Sequence, residues 1–217
     1  MRPLSHVPRP VLLLLVAALA LQLALPGREP ANAGLPPPPD AAILRLASLG
    51  EPVALAKSVM LTVQNDDRDP RLADWLERVL DLDPRGQYPL LAASQVYAVG
   101  EAVRVRAMLD LVYRRFGEDP DRRWPWLAHA AIVARHRLHD MPLARRYARA
   151  IRERTAPAVL PAWAAQMEVF ILEDMGEAQA ARTLIGAMLA SGQVRDAREL
   201  AFLEQRLRTL DEHPAKP

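Results

Sequence analysis

Cysteine is absent from all 217 residues. Its absence excludes a disulfide framework, thiolate chemistry and a lipidated cysteine. Lysine is nearly missing as well: Lys57 and Lys216 stand against 26 arginines, a skew that reflects coding bias before function. The net charge is only +2. No Gly-rich phosphate loop, GxSxG elbow, Ser-x-x-Lys pair or HExxH stretch occurs, so the usual frames for phosphate, acyl-transfer and zinc chemistry are lacking. No enzymatic activity and no cofactor are expected on that ground. Strand-like alternation is also scarce, and nearly every segment instead spaces its apolar residues as a helix does.

One apolar run stands out. Val11 to Leu25 is interrupted only by Gln22, follows Arg2 and Arg9, and precedes Pro26, Gly27 and the small-x-small triplet Ala31-Asn32-Ala33. Residues 1–33 therefore read as a signal peptide or as an uncleaved membrane anchor. The run is short of the ~20 residues that span a bilayer upright, so residues 10–26 would anchor where the bilayer thins. In both cases the basic end stays inside and the body lies outside the cytoplasm, periplasmic or held at the inner membrane. Residues 34–40 hold "GLPPPP", a stiff tether; residues 41–210 form the folded domain, and residues 211–217 a flexible tail.

Within the domain, Val105, Met108, Leu109, Val112, Tyr113 and Phe116 give the clearest helical stripe, with Leu72, Trp75, Leu76, Val79 and Leu80 a second and Leu184, Ile185, Met188 and Leu189 a third. Between such stripes lie "DPRGQYP", "GEDPDRRWP", "TAPAVLP" and "ASGQV", all rich in helix stops. Pro89, Pro125 and Pro161 lie 36 residues apart, each after a bulky apolar residue and each three before an alanine: Ala92, Ala128, Ala164. Self-similarity at that period is the mark of stacked helical hairpins. The three prolines are expected at equivalent helix starts, where a missing N–H has no partner to lose. Trp126 and Trp163 are expected as wedges between hairpins. Second helices are placed around 71–82, 101–116, 141–154 and 177–190, with a leading helix at Ala41 to Leu49 and a closing one from Ala197.

This register resembles the tetratricopeptide-type repeat family. "RLHDMPLARRYARAIRERTAP" fits it best, with Ala144 at the small position of the second helix, Ile151 at a later core position and Pro157 closing. "LERVLDLDP" resembles the family's repeat ending, and "EDMGEAQAARTLIGAML" its joint, with Gly176 at the turn and Ala180 at the small position. The Trp-x-x-Leu-Gly-x-x-Tyr pattern is nowhere intact, and the period is 36 residues against the family's ~34. The resemblance implies an all-α, right-handed superhelical stack of hairpins whose concave face, lined by first helices, binds a protein or peptide. It implies no catalysis.

Candidate site residues follow from chemistry. His129, His136 and His139 lie close to Asp140, a spacing that could surround zinc, but no further ligand-rich segment completes a site. Histidines at such spacing also serve a partner surface, and His129 and His136 are candidates for that. "NDDRDP", Asn65 to Pro70, alternates oxygen donors as calcium loops do, but Pro70 stands where glycine is needed, so a helix-capping loop is expected. "EDMGE", Glu173 to Glu177, offers paired carboxylates at a solvated turn. Residues 104–154 hold 13 arginines against 6 acids, while 34–103 comes to −4 and 155–217 to −3. Arg145, Arg149 and Arg152 recur along one helix and read either as a solvated face or as the docking surface of an acidic partner or of anionic lipid headgroups near the membrane. The interleaved acids argue against nucleic acid.

Overall fold

Apolar residues at helical spacing, broken by Pro, Gly and Asp, fold as eleven α-helices among the described residues. The structure is a computed structural model that describes residues 34–64 and 69–212. The signal or anchor reading of residues 1–33, and Asn65 and Asp67 of the oxygen-rich loop, lie outside them. Chain contacts separate a unit of residues 1–36 from one of residues 37–217, and the described helices belong to the second. Leu35, in the Pro-rich segment, is buried.

The helices are α1 (Ala41–Ala47), α2 (Pro52–Val63), α3 (Leu72–Leu82), α4 (Tyr88–Leu91), α5 (Ala102–Phe116), α6 (Pro120–His136), α7 (Met141–Arg154), α8 (Ala162–Ala165), α9 (Met167–Asp174), α10 (Ala178–Ala190) and α11 (Ala197–Glu212). Ala92–Val96 continues α4 as a π-helical turn. No strand occurs among the described residues. The closing helix runs two residues past the expected end, and Arg182 Nη1 donates to Asp211 Oδ1 at 2.9 Å.

Helix ends are fixed locally. The Asp40 carboxylate accepts from Ala42 N–H at 2.8 Å, Asp140 from Leu143 N–H at 3.0 Å and Asp196 from Arg198 N–H at 2.9 Å. Each satisfies a donor that the first helical turn leaves free. Asp69 does the same one step earlier, accepting from Arg71 N–H at 2.7 Å. Gly176 turns the joint into α10 with φ +74°, where glycine is the residue with no Cβ to clash.

The main contacts join helices one or two apart in chain order. α2 pairs with α3, α4 and its π-turn with α5, α6 with α7, and α9 with α10; α11 closes the row on α10 and α1 leads on α3. The arrangement is all-helical, with neighbouring pairs, and is compatible with a helical repeat. Polar ties carry the same period. Arg115–Asp81, Arg122–Arg85, Trp126–Gln87, Ala156–Asp121, Gln166–Glu199 and Arg206–Glu173 join residues 33 to 39 apart.

The equivalence of the three prolines fails. Pro89 is the second residue of α4, Pro125 lies inside α6 and Pro161 only caps α8 from outside. The reason is that α6 starts a turn early, at Pro120, behind "GEDP". What does recur is the alanine: Ala92, Ala128 and Ala164 are all buried. A small side chain is what close helix approach demands, whereas a helix can begin at several points upstream of it. The α6–α7 pair follows that logic, with Ala128, Ala131 and Ala134 of α6 and Ala144, Ala148 and Ile151 of α7 all buried. On α10 the small position falls one residue later than expected. Ala181 is buried with Val169, Leu172, Ile185 and Leu203, and Ala180 packs at the edge of that cluster.

Candidate functional site

The stretch "RWPWLAHAA" divides its work among four side chains. Arg123 is 2% exposed and the largest buried side chain among the described residues. Its guanidinium donates to the Pro84 carbonyl at 2.6 Å, to Glu118 Oε2 at 2.7 Å and to the Arg115 carbonyl. One planar fork thus ties the end of α5 and the α3–α4 loop to the start of α6. Trp126 is half-buried, and its indole N–H donates to Gln87 Oε1 at 2.5 Å. Both side chains hold hairpins together, as wedges would.

The other two do not. Trp163, expected as a wedge, is 52% exposed. It meets half-buried Trp124 edge-on with ring centroids 5.6 Å apart. Trp163 sits at the second residue of a one-turn helix, too short to carry it under the next pair. The expectation for Trp163 is therefore corrected: the pair Trp124–Trp163 is a surface feature on α6 and α8. Further back along the first helices, Tyr88 of α4 and Leu61 of α2 are exposed. Between them lies an open, largely apolar groove of about 600 Å³, lined among others by Ala56, Met60, Leu61, Val79, Tyr88 and Pro89.

The arginine row on α7 is mostly consumed within the fold. Arg152 Nε donates to Glu168 Oε2 at 3.0 Å, and Arg145 Nη1 to Glu177 Oε2 at 2.9 Å. Glu168 is only 4% exposed; a buried carboxylate needs such partners. Arg149 pairs along its own helix with Glu153 at 2.7 Å. That contact raises the Arg149 pKa and lowers that of Glu153. Glu173 takes Arg206 and Asp174 takes Arg135, so all three "EDMGE" carboxylates are ion-paired. The same pattern recurs upstream, where Arg115 reaches Asp81 at 2.6 Å. Burial opposes ionisation of Asp81, but hydrogen bonds from Arg115 and Arg78 hold its carboxyl below the ordinary range. The basic middle and acidic flanks of the sequence neutralise each other across hairpin boundaries.

An open cleft of about 530 Å³ remains beside α7, lined by Tyr113, Arg145, Arg146, Arg149, Glu153 and Arg154 among others. The Arg146 guanidinium lies 4.4 Å from the Tyr113 ring centroid, and Tyr113 stacks on Tyr147 at 5.3 Å. Burial, followed by the Asp110 charge, pushes the Tyr147 pKa up to about 12. None of these arginines lines the groove on α2 and α4. The row lies on α7, the second helix expected at 141–154, and away from that groove.

The histidines do not converge. His129 is half-buried on α6 and burial lowers its pKa; His136 and His139 are exposed. Asp140 is occupied by the α7 cap and by Arg106 at 2.7 Å. Among the described residues no three His, Asp or Glu side chains gather to hold a metal ion. Compared with known proteins, the chain matches no family model, no curated protein and no solved structure.

Sequence reasoning missed Arg123 and Glu168. A signal existed for the second, since "QMEVFIL" sets one acid inside an apolar run. Arg123, one of thirteen arginines in its block, carries no mark that separates it from exposed neighbours.

Proposed function

We propose that this chain is a non-enzymatic interaction scaffold of the bacterial-type cell envelope, a tetratricopeptide-like superhelical stack that takes a protein or peptide partner along its first helices. One observation carries the reading: Leu61, Tyr88 and Trp163, on three of four successive first helices, are exposed, and half-buried Trp124 on the other meets Trp163 edge-on. Aromatic side chains give large contact area at low entropy cost, and they dominate the energetics of interfaces. The N-terminal apolar run supports a body outside the cytoplasm, either released or held at the inner membrane. Anchored, the same domain would serve as a structural subunit of a membrane assembly.

A second reading draws on the cleft beside α7. Arg146 has an aromatic partner, Arg149 one exposed carboxylate, and Arg154 faces the cleft with them. An acidic segment would find charge complementarity there, acting mainly on association rate. Capture from an envelope extract separates the two. Loss of the partner with Trp124→Ala and Trp163→Ala, at unchanged thermal midpoint, supports the first-helix surface. A partner lost only with Arg149→Glu and Arg154→Glu, and released by salt, belongs to the cleft instead. A partner kept by both pairs of substitutions defeats the scaffold reading at these surfaces.

A further inference from the structure

We propose that the turn between α1 and α2 is a lipid-contacting tip that inserts shallowly into a membrane surface. Leu49 is 92% exposed and Leu46 81%, with Ile43 and Val53 exposed beside them. Leu49 also has φ +51°. Leucine in the left-handed region is strained, and glycine or asparagine would hold the same turn more cheaply. A strained, almost fully exposed leucine at the apex of a turn has no packing explanation, and such outliers gather at working surfaces.

The shape and charge favour lipid over protein. α1 and α2 meet at 110°, so the four side chains sit on a corner and not on a flat face. A corner fits a fluid surface better than it fits a second rigid one. Only Arg45, Glu51 and Lys57 are charged between Ala41 and Gln64, in a chain where 25% of residues are. Arg45 Nη2 donates to the Asp81 carbonyl at 3.2 Å, leaving Glu51 as the one acid at the turn and a limit on depth. No single helix among the described residues is long and apolar enough to cross a membrane, but α1 and α2 together have the length and composition of a broken span. Shallow burial of such an apolar edge at the headgroup boundary is how interfacial segments bind. In sequence, residues 26–40 are all that separates α1 from the apolar run Val11–Leu25. The tip is independent of partner binding, so it stands or falls apart from the scaffold reading.

The lack of cysteine makes the test direct. In the full chain, Leu49→Cys and, separately, Arg195→Cys in an exposed loop each receive one environment-sensitive dye. Each protein is mixed with phosphatidylethanolamine–phosphatidylglycerol vesicles carrying a collisional quencher on the acyl chains. The expected result is severalfold stronger quenching at 49 than at 195, lost when Ile43→Ser and Leu46→Ser are added. Comparing two positions in one chain removes the contribution of the N-terminal run to overall vesicle binding. Equal quenching at both positions overturns the proposal. So does shielding at 49 that ignores the quencher and rises with protein-to-lipid ratio, which assigns the corner to a second copy of the chain.

Discussion

The middle of this molecule and its N-terminal corner solve opposite problems with opposite residues. From α5 to α7 the chain is crowded with arginine, and most of that charge is spent inward on carboxylates and carbonyls of neighbouring hairpins. From α1 to α2 charge is sparse, and leucines point outward. Counting residues by type would call the first region surface and the second core. The difference teaches that charge marks exposure only when it lacks a partner on a neighbouring helix pair. Apolar character marks burial only when a neighbouring helix is there to cover it.

The sharpest way to break the comparison is Arg123→Ala. It would leave the Pro84 and Arg115 carbonyls without their donor and a large void behind, and should cost about 3 kcal/mol or more, as breaking buried charged contacts does. Urea unfolding measures it; a loss under about 0.5 kcal/mol, the range of ordinary surface changes, would make the arginine stitching decorative. Lysine at 123 should recover little of the loss, because a point charge cannot span three acceptors in a fork.

The tryptophans sharpen the contrast inside the middle region. Trp126→Ala should cost about 2 kcal/mol, less than a fully buried aromatic would, since it is half-buried and loses one hydrogen bond. Trp163→Ala should lie within about 0.5 kcal/mol of wild type. Equal losses in thermal or urea unfolding would return Trp163 to the packing role that its spacing suggested.

That pair also shows what was legible beforehand. The second helices, the leading and closing helices and the Gly176 turn could all be read from spacing and helix stops, because those signals are local. The buried alanines 36 apart were legible for the same reason. Side-chain destinations were not. Whether Trp163 is covered depends on α8 lasting one turn, and whether Arg145 and Arg152 are free depends on Glu168 arriving from α9. The arginine row was seen, but its partners lie up to a repeat away, beyond the reach of any periodicity on one helix.

Acid should act on the middle before the corner. Asp81 and Asp140 are held below their ordinary value of 3.8, against the cost of burial, by hydrogen bonds from Arg115 and Arg78 and from Leu143 N–H and Arg106 respectively. A depressed folded-state value means that their contribution is fully present above the unfolded value and is lost as pH falls through the folded one. Stability should therefore hold down to about pH 5 with respect to these groups and then decline below 4, with Asp81→Asn flattening the decline. A decline of unchanged steepness in the variant would remove Asp81 from the account.

The last effect has the opposite sign. Leu49→Gly relieves a left-handed leucine and should gain about 1 kcal/mol, whereas nearly any change at buried Arg123 loses. A neutral or negative result in urea unfolding would mean that the leucine is supported in place and that the corner is part of the core.

The reach of Arg123 also constrains how such a chain can grow. Helical-repeat arrays change length by copying a unit, and a copy is harmless when each unit meets only generic neighbours. Here a copy of residues 85–120 inserted in place would keep the Arg115 carbonyl and Glu118 beside Arg123. It would present the Pro120 carbonyl where that of Pro84 now stands, again closing an Asp-Pro pair and again ahead of Arg85. The buried guanidinium would keep its three acceptors with this cut and lose one with a cut that puts no such pair 39 residues upstream. At this junction any change in the number of helix pairs has to respect the register of one side chain.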